Sequence, residues 1–335
     1  MKICHIILTN NFAGSEKYTI DLANQQSYLG HDVLLIIKKQ NKKISIKDHI
    51  SNDVNYIEIG NFFKTYSIKK ILKKFEIQIV HCHLGNSCKI LKNIKIPKIV
   101  TLHIDYKKKE HDHMNGIICI NKNQFEKINH LKTNKKLILN WLPKIECIDE
   151  SYVSILKKKH NTKNYHYTFG YFGRFDQSKN LDLLVNSFIE LKLNGSKLIL
   201  IGDGDQKKNL LNIAHNHPDI EFLSSQKDIY PYYSIIDCFV LPSKFEPFGL
   251  VILESMFFKK DIILSKVPIS NYLPQNLSFE IGDKNHLKRL MLHNYKKGKS
   301  NLDYDLTKFD RNIQINKVLN FYKIVLENYV NANFL

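Results

Sequence analysis

The chain of 335 residues is 43% hydrophobic and longer than one core usually fills, so we expect a globular protein with two domains of about 150 residues each. Its formal net charge of +18 comes almost entirely from lysine in a composition rich in Lys, Asn and Ile, which indicates coding bias and gives no reason to expect a nucleic-acid partner. No stretch reaches the ~18 apolar residues of a membrane span, and the first residues lack the apolar core of a signal peptide, so we expect a cytoplasmic protein.

Strand-like and helix-like segments alternate in the first half of the chain, which is typical of βαβ units and a parallel sheet. The strand KICHIIL at 2–8 precedes a loop that contains glycine, and a helix follows from Lys17 to Leu29. These segments predict one open sheet over residues 1–145. The later strands are predicted at 31–37, 55–59, 77–83, 98–103, 116–120 and 136–140, with helices at 66–75, 86–92 and 122–131.

A polar, lysine-rich stretch from about 144 to 165 interrupts this pattern, and we place the domain boundary there. The alternation resumes over 165–307, so the fold class is α/β, with two Rossmann-like domains expected to face each other across a cleft. The final segment, 308–335, is expected to form a helix that crosses back onto the first domain. Its apolar residues at helical spacing are Ile315, Val318, Leu319, Tyr322 and Val325. The strands of the second half are predicted at 167–173, 197–202, 220–223, 238–241 and 261–265, with helices at 180–193, 206–216 and 249–258.

The cysteine and histidine patterns give little support for a metal site. The six cysteines show no C-x-x-C spacing, so we expect reduced thiols and no zinc. His81 and His83 lie on one face of a predicted strand, and His111 and His113 form a second apparent pair, but no Cys or carboxylate stands at ligand spacing. We expect His83 to line the interdomain cleft instead.

Two basic runs in the first half, KKILKK at 69–74 and YKKK at 106–109, are candidate patches for an anionic surface. The alternative for each run is a solvated helix face.

Residues 246–254 read EPFGLVILE, with two carboxylates eight positions apart around an apolar stretch. Glu246 follows the strand at 238–241, and Gly249 opens a helix. Ligands bind at this edge of open α/β sheets, because the N–H groups and the positive dipole end of the helix favour anions. We therefore predict that Glu246 and Glu254 both face the crevice.

Two cations follow the first strand of the second half, in YFGRFDQSKN. Gly173 and Arg174 come just past the strand, and Lys179 stands at the start of the next helix. Arg binds phosphate bidentately and Lys supplies a mobile point charge, so the pair is suited to a diphosphate. The alternative is an ordinary surface charge, but an arginine in a chain with only three of them favours the forked geometry.

The sequence IGDGDQ at 201–206 ends the next strand. Gly202 and Gly204 lack a Cβ and would allow a nucleotide to approach the backbone closely. Asp203 and Asp205 imitate a metal-binding D-x-D pair, but the glycines account for the loop and two sheets argue against that architecture.

These motifs resemble those of the retaining glycosyltransferases of the GT-B fold, specifically glycosyltransferase family four. The resemblance spans nearly the whole chain and rests on AGSEKYTIDLANQQSYLGHDV, TLH at 101–103, GRFDQSKN, IGDGD and EPFGLVILE, which matches the E-x7-E signature.

The resemblance implies roles for individual residues. Glu246 would hydrogen-bond the donor sugar and Glu254 the ribose, while Arg174 and Lys179 would neutralise the leaving diphosphate. His103 would approach the reacting sugar carbon across the cleft. The backbone that would approach the sugar and diphosphate belongs to Phe248, Gly249 and Leu250.

The chain departs from the family at two positions. Ala13-Gly14 replaces the usual Gly-Gly pair, at which the resemblance implies that Gly14 contacts the donor or the acceptor. Asn180 stands where the family often has Gly, and we expect it to serve as an N-cap or first-turn residue with little effect.

The implied activity is that of a retaining hexosyltransferase acting by front-face displacement. The donor would be a nucleotide-diphosphate sugar, with no cofactor or metal, and the acceptor a glycan or lipid-linked glycan in lipopolysaccharide or capsule assembly. Peripheral contact of the protein with the anionic inner face of the membrane would be compatible with a lipid-linked acceptor. A catalytically inactive scaffold and a same-fold sugar-nucleotide epimerase are the alternatives. The presence of Glu246, Glu254, Arg174 and Lys179 together favours the transferase, because a scaffold would not need all four.

Overall fold

The computed structural model describes residues 1–9, 13–39, 46–60, 64–145 and 147–334. The chain divides into two compact units. Unit 1 consists of Met1–Lys144 and Lys308–Leu335, and unit 2 of Ile145–Thr307.

Unit 1 contains a seven-stranded parallel sheet in the order β3-β2-β1-β4-β5-β6-β7. Its central strands β1, β4 and β5 are buried along nearly their whole length and are mostly apolar. The strands are β1 (Lys2–Ile7), β2 (Asp32–Lys38), β3 (Asn55–Ile59), β4 (Ile79–His83), β5 (Lys98–Leu102), β6 (Gly116–Cys119) and β7 (Asn134–Leu137). The helices before the second unit are α1 (Gly14–Tyr28), α2 (Lys64–Lys74), α3 (Gly85–Ile90), α4 (Lys108–His111) and α5 (Lys122–Lys127).

Helix α1 begins at Gly14, three residues before the predicted start at Lys17. The Glu16 carboxylate accepts a hydrogen bond from the Ala13 N–H at 2.8 Å, and the Lys17 N–H donates to the Ala13 carbonyl at 3.0 Å. An acidic residue in the first turn satisfies an otherwise free N–H group, which extends the helix toward its N-terminus.

Unit 2 contains a six-stranded parallel sheet in the order β10-β9-β8-β11-β12-β13. The strands are β8 (Tyr167–Phe172), β9 (Ser196–Ile201), β10 (Ile220–Leu223), β11 (Cys238–Leu241), β12 (Asp261–Ser265) and β13 (Ser278–Phe279). The helices are α6 (Glu150–Lys159), α7 (Leu181–Leu191), α8 (Lys207–Ala214), α9 (Tyr230–Tyr233), α10 (Leu250–Phe257) and α11 (Lys284–Lys297). Both sheets reverse their strand order next to the first strand of the unit, which confirms the predicted α/β class with two Rossmann-like sheets.

The lysine-rich stretch at 144–165, which was predicted as a polar boundary, contains helix α6. Its N-cap Asp149 accepts a hydrogen bond from the Ser151 N–H at 2.8 Å, and Val153 and Leu156 are buried. Two buried positions among lysines are too few to produce a clear helical pattern. The strand β13 and the helix α11 were also missed.

The chain ends in α12 (Arg311–Phe334), which confirms the predicted C-terminal helix. Its five predicted apolar residues are buried against the first sheet, beside Trp141. Gly116 permits this approach, because a Cβ there would lie 2.8 Å from Cγ2 of Val325. Among the described helices, none combines the length and the apolar character that a membrane crossing demands. All six cysteines are free, and five of them are buried.

Candidate functional site

The candidate site of unit 2 lies at the carboxyl edge of its sheet, where the strand order reverses between β8 and β11. The loop after β8 carries Arg174 and Lys179, and the loop after β11 carries Glu246. Main-chain hydrogen bonds join the two loops, since the N–H groups of Lys244 and Phe245 donate to the Ser178 carbonyl at 2.8 and 3.3 Å. Residues far apart in sequence therefore meet on one framework.

Lys179 and Glu246 form an ion pair that the sequence did not predict. The Lys179 Nζ lies 2.6 Å from Oε2 of Glu246, and the two side chains are 13% and 14% exposed. The pair orients the ammonium group with little surrounding water, so its charge is screened less than that of a surface lysine.

Arg174 is an exposed cation at this edge. Its side chain is 58% exposed, and Nη2 lies 3.2 Å from Oδ2 of Asp176. The Arg174 carbonyl accepts a hydrogen bond from the Tyr171 hydroxyl at 3.0 Å. Burial, reinforced by the Glu246 and Asp176 carboxylates, raises the pKa of Tyr171, so this hydroxyl remains a donor and fixes the backbone beneath the guanidinium.

Helix α10 begins beside this pair. Gly249 has a φ of +92°, and a Cβ there would lie 3.3 Å from Cγ of Glu246, so glycine suits the turn. Its N-cap is Gly249, which has no side chain to cap the helix. The Ile252 N–H donates to the Gly249 carbonyl at 2.9 Å, and the N–H groups that precede it at the helix start are placed to donate to an anion. Phe248 is buried and anchors the turn, while Leu250 is half-buried.

Glu254 differs from the prediction that it faces an open crevice. It is 1% exposed, and its Oε2 accepts a hydrogen bond from the Tyr233 hydroxyl at 2.7 Å. Burial and the Glu254 carboxylate raise the pKa of Tyr233 well above its usual value. The carboxylate is thus part of the packing around α10, and its contact with a ribose stays a prediction.

Three glycines that were predicted to contact a nucleotide are required by the close packing of the protein's own loops. A Cβ at Gly202 would lie 1.8 Å from the Gly173 carbonyl oxygen, and one at Gly204 would lie 2.3 Å from the Phe175 carbonyl oxygen. A Cβ at Gly173 would lie 2.8 Å from the Tyr171 hydroxyl. These positions require glycine because of the protein's own atoms, and their contact with a nucleotide stays a prediction.

Asp203 is held by the protein's own donors. It accepts hydrogen bonds from Nζ of Lys207 at 2.7 Å and from the Ser225 N–H at 2.7 Å. It therefore closes the loop that follows β9, in agreement with the interpretation of IGDGDQ as a glycine loop.

Asn180 is the N-cap residue of α7, as expected, but it does not cap the helix with its side chain. It has a left-handed backbone (φ +55°, ψ +40°) and makes no capping hydrogen bond. Asparagine tolerates this conformation better than most residues, which explains how it replaces the glycine usual in the resembled family.

In unit 1, His103 follows β5 at the carboxyl edge of the sheet and is half-buried. Its Nε2 lies 3.1 Å from Nδ1 of His83. Burial lowers the pKa of His103 to about 3, so the ring is neutral at physiological pH. The prediction that His83 lines a cleft was wrong, because this residue has no exposed surface and lies inside unit 1.

Sequence reasoning missed a buried polar cluster around His83. His5 and His81 are opposite each other in the register of β1 and β4, and Tyr322 of α12 contacts His81 at 2.6 Å. Among the described residues, His5, His81 and His83 are the one group of His, Cys, Asp or Glu whose ligand atoms lie close enough for a metal, within 4.8 Å of one another. The available signal was three polar residues inside otherwise apolar strands.

Three further residues singled out in the first half of the chain are Gly14, His111 and His113. Gly14 is the first residue of α1, and the loop before it, residues 10–12, lies outside the described residues. His111 accepts a hydrogen bond from the Lys107 N–H at 3.0 Å, whereas His113 contacts the Cys88 carbonyl at 2.8 Å. The apparent pair is therefore divided between two different local contacts.

Two family models match the chain in separate regions. The model described as "Glycosyltransferase Family 4" matches residues 12–135, and the one described as "Glycosyl transferases group 1" matches residues 153–274. The O-antigen biosynthesis glycosyltransferase WclY of Escherichia coli is 22% identical over 302 residues, which cover 80% of this chain and 81% of WclY. These matches support a GT-B glycosyltransferase.

Solved glycosyltransferase structures show the same fold. One from Rickettsia africae superposes with a TM-score of 0.77 at 18% identity, covering 97% of this chain and 98% of its own. Anabaena Alr3699/HepE, solved in complex with UDP and glucose, superposes with a TM-score of 0.74 at 16% identity and covers 98% and 99%. At these identities the likeness shows the GT-B fold alone.

Proposed function

We propose that this glycosyltransferase retains the anomeric configuration and moves a hexose-type sugar from a nucleotide-diphosphate sugar to a hydroxyl of a glycan or lipid-linked glycan. The observation that carries the proposal is the clustering of Arg174, the Lys179–Glu246 pair and the uncapped start of α10 at one sheet edge. Two cations, each beside a carboxylate, and the start of a helix at this edge favour a diphosphate, which could take over the contacts of the cations. The similar fold of HepE, solved with UDP and glucose, supports a nucleotide-sugar donor.

The proposed mechanism is front-face displacement. The acceptor oxygen forms a bond to the anomeric carbon as the bond from that carbon to the diphosphate oxygen breaks, and the leaving diphosphate takes the hydroxyl proton. Negative charge grows on the diphosphate, where Arg174, Lys179 and the N–H groups at Gly249 stabilise it, each by about 3 kcal/mol when well placed. The reaction needs no covalent nucleophile, and we propose no cofactor or metal for it.

The remaining residues bind and position the donor in this proposal. Glu246 hydrogen-bonds the sugar hydroxyls, Glu254 the ribose, and His103 the reacting sugar. The backbone contacts to the sugar and phosphates come from Gly14, Gly173, Gly202, Gly204, Phe248, Gly249 and Leu250.

A screen of nucleoside diphosphates by thermal unfolding tests the proposal, because a ligand that binds only the folded protein raises its apparent stability. We expect one of UDP, GDP or ADP to raise Tm at millimolar concentration, and the corresponding nucleotide sugar to be consumed in the presence of a glycan acceptor. NMR of the first product should show the donor's anomeric configuration. Nucleotide binding without turnover of any sugar would favour the scaffold, and turnover without acceptor would favour the epimerase.

We propose that the acceptor belongs to surface polysaccharide assembly, as the name of WclY suggests for that relative. Helix α2 offers a cationic surface for contact with the membrane in which a lipid-linked acceptor would be held. Ile68 and Leu72 are buried, while Lys69, Lys70, Lys73 and Lys74 are exposed. Four cations on one exposed face would be attracted to an anionic membrane by about 1 kcal/mol each.

Replacing these four lysines of α2 with glutamine should weaken binding to vesicles containing phosphatidylglycerol by about 10²–10³-fold at low salt. Sedimentation with vesicles at increasing salt and anionic lipid content measures this. The control changes four lysines of unit 2, all exposed, to glutamine and leaves vesicle binding within threefold; they are Lys158, Lys159, Lys163 and Lys208. Equal losses in both variants would mean that net charge and not the α2 face attracts the membrane.

A further inference from the structure

A continuous series of hydrogen bonds leads from the interior of unit 1 to His103. Gln26 Oε1 lies 2.7 Å from Nε2 of His5, and Nδ1 of His5 lies 3.0 Å from Nε2 of His83. The other nitrogen of His83, Nδ1, lies 3.1 Å from Nε2 of His103. Gln26, His5 and His83 are fully buried, so no water competes for these contacts.

The rings of this series are neutral. Burial lowers the pKa of His5 to about 4 and that of His103 to about 3, and it holds the pKa of His83 well below the usual value. A neutral imidazole has one N–H group and one lone pair. Each contact between two rings contains one hydrogen, so every ring donates through one nitrogen and accepts through the other. The hydrogens of the series therefore all point in the same direction.

Gln26 fixes that direction. Its Nε2 donates to the Tyr322 hydroxyl at 3.3 Å, which leaves the carbonyl Oε1 facing His5. The Tyr322 hydroxyl also lies 2.6 Å from Nδ1 of His81, and Nε2 of His81 lies 2.8 Å from Thr101 Oγ1. Because a carbonyl oxygen only accepts, His5 must donate from Nε2.

The position of the hydrogen on His5 then determines its position on His83 and on His103. With its hydrogen on Nε2, His5 accepts at Nδ1 from Nε2–H of His83. His83 in turn accepts at Nδ1 from Nε2–H of His103. His103 is left with an unprotonated Nδ1, and among the described residues none forms a hydrogen bond with that atom.

We propose that Gln26, His5 and His83 are positioning residues that fix the tautomer of His103, with its hydrogen on Nε2 and its lone pair on Nδ1. This inference rests on the proposed function in one respect, namely that His103 contacts the donor sugar. In that contact Nδ1 accepts a hydrogen bond from a sugar hydroxyl. The opposite tautomer would direct an N–H group at the same hydroxyl and lose the intended contact.

The same cluster invites comparison with a metal site, since the ligand atoms of His5, His81 and His83 lie within 4.8 Å of one another. The hydrogen bonds account for the nitrogens without a metal. The 3.0 Å between His5 and His83 is hydrogen-bond length, and both nitrogens of His81 already contact Tyr322 and Thr101. A metal would have to break these contacts.

NMR of the full-length protein with ¹⁵N-labelled histidine tests the proposal, because the ¹⁵N shift separates protonated from unprotonated ring nitrogens. A His103→Asn variant assigns the signals. In the wild type we expect His103 to be a single tautomer with its hydrogen on Nε2. A hydrogen on Nδ1, or an even mixture, would overturn the proposal, as would one equivalent of zinc in the purified protein.

The variants Gln26→Leu and His5→Phe should each produce a mixture of His103 tautomers. Gln26→Glu should keep the wild-type tautomer, since a carboxylate also accepts from His5. The matched control is Tyr18→Phe, which keeps the ring whose centroid lies 5.0 Å from that of His103 but removes a hydroxyl outside the series. It should leave the tautomer unchanged. If folded Gln26→Leu and His5→Phe keep the single tautomer of the wild type, the proposal that this series of hydrogen bonds fixes the tautomer of His103 is refuted.

Kinetics supply the second measurement. Gln26→Leu should lower kcat by about tenfold with little change in the donor KM, and Gln26→Glu should recover most of the loss. The NMR measurement requires no substrate. A wild-type protein that shows the expected tautomer but transfers no sugar would therefore contradict the proposed function and leave the proposed role of the hydrogen-bond series intact. An active protein with the other tautomer would contradict the role of the series and leave the proposed function intact.

Discussion

Replacing Lys179 with alanine is expected to lower kcat/KM for sugar transfer by about 10²–10³-fold. The ammonium group is held 2.6 Å from Glu246 in a site where both side chains are less than one-sixth exposed, so in the proposed mechanism it would meet the charge growing on the diphosphate without reorganisation. Steady-state transfer with the donor found in the nucleotide screen measures the effect. Turnover like that of the wild type would show that Lys179 serves only to pair Glu246.

The ion pair complicates this experiment, because removing Lys179 leaves Glu246 largely buried without its partner. Glu246→Gln breaks the same pair from the other side and is the matched comparison. Both variants should lose similar stability in urea. Only Lys179→Ala should lose affinity for the nucleoside diphosphate relative to the nucleoside, whereas Glu246→Gln should keep that difference and lose turnover.

Two surface variants complete the comparison. Arg174 is 58% exposed and its pair with Asp176 contributes at most about 1 kcal/mol, so Arg174→Ala should fold normally while its turnover falls. Lys284 forms an exposed pair with Glu190 in the same unit, at 2.6 Å. Lys284→Ala should leave both stability and turnover near those of the wild type.

Replacing Glu254 with glutamine is expected to weaken binding of the nucleoside diphosphate by about 10–100-fold, the value of a hydrogen bond to a charged group. The structure places this carboxylate inside unit 2, against the Tyr233 hydroxyl, so a purely structural role would predict lost stability instead. Affinities for 2′-deoxy and 3′-deoxy analogues separate the two roles. If Glu254 binds the ribose, the wild type discriminates against one analogue and Glu254→Gln does not.

Tyr233→Phe is the control for this test. It removes the hydroxyl that donates to Glu254 at 2.7 Å but keeps the carboxylate and the stacked contact with Phe258. We expect reduced stability in urea with undiminished discrimination between ribose and deoxyribose. If Glu254→Gln behaves in the same way, with discrimination intact, the carboxylate serves packing alone and the ribose assignment is wrong.

The sequence predicted most of the sheet strands, because most of them are short apolar runs between polar turns, and it predicted α12 from the spacing of Ile315, Val318 and Tyr322. It failed where local signals were weak or absent. The helix α6 has only two buried positions among its lysines, and β13 is two residues long. Helix α1 began earlier than expected because the Glu16 carboxylate caps it.

The candidate site shows the same division between local and distant information. Arg174, Lys179 and Glu246 could be identified as residue types after strands, since parallel strands bring their carboxyl ends to one edge. The pairing of Lys179 with Glu246 could not be predicted, because an ion pair between positions 67 residues apart depends on how two loops bond to each other. For the same reason the sequence suggested that Gly202 makes room for a ligand, whereas the structure shows the Gly173 carbonyl oxygen in that space.

The sequence by itself determined the α/β class, the two-sheet organisation and the charged residues available at the strand ends, because strand patterns and strand-end residues are local properties of the chain. Only the tertiary structure decided that Glu254 is buried, that Lys179 pairs with Glu246, and that His5 and His83 reach His103. Burial and hydrogen-bond partners arise from segments far apart in sequence, so no local pattern contains them.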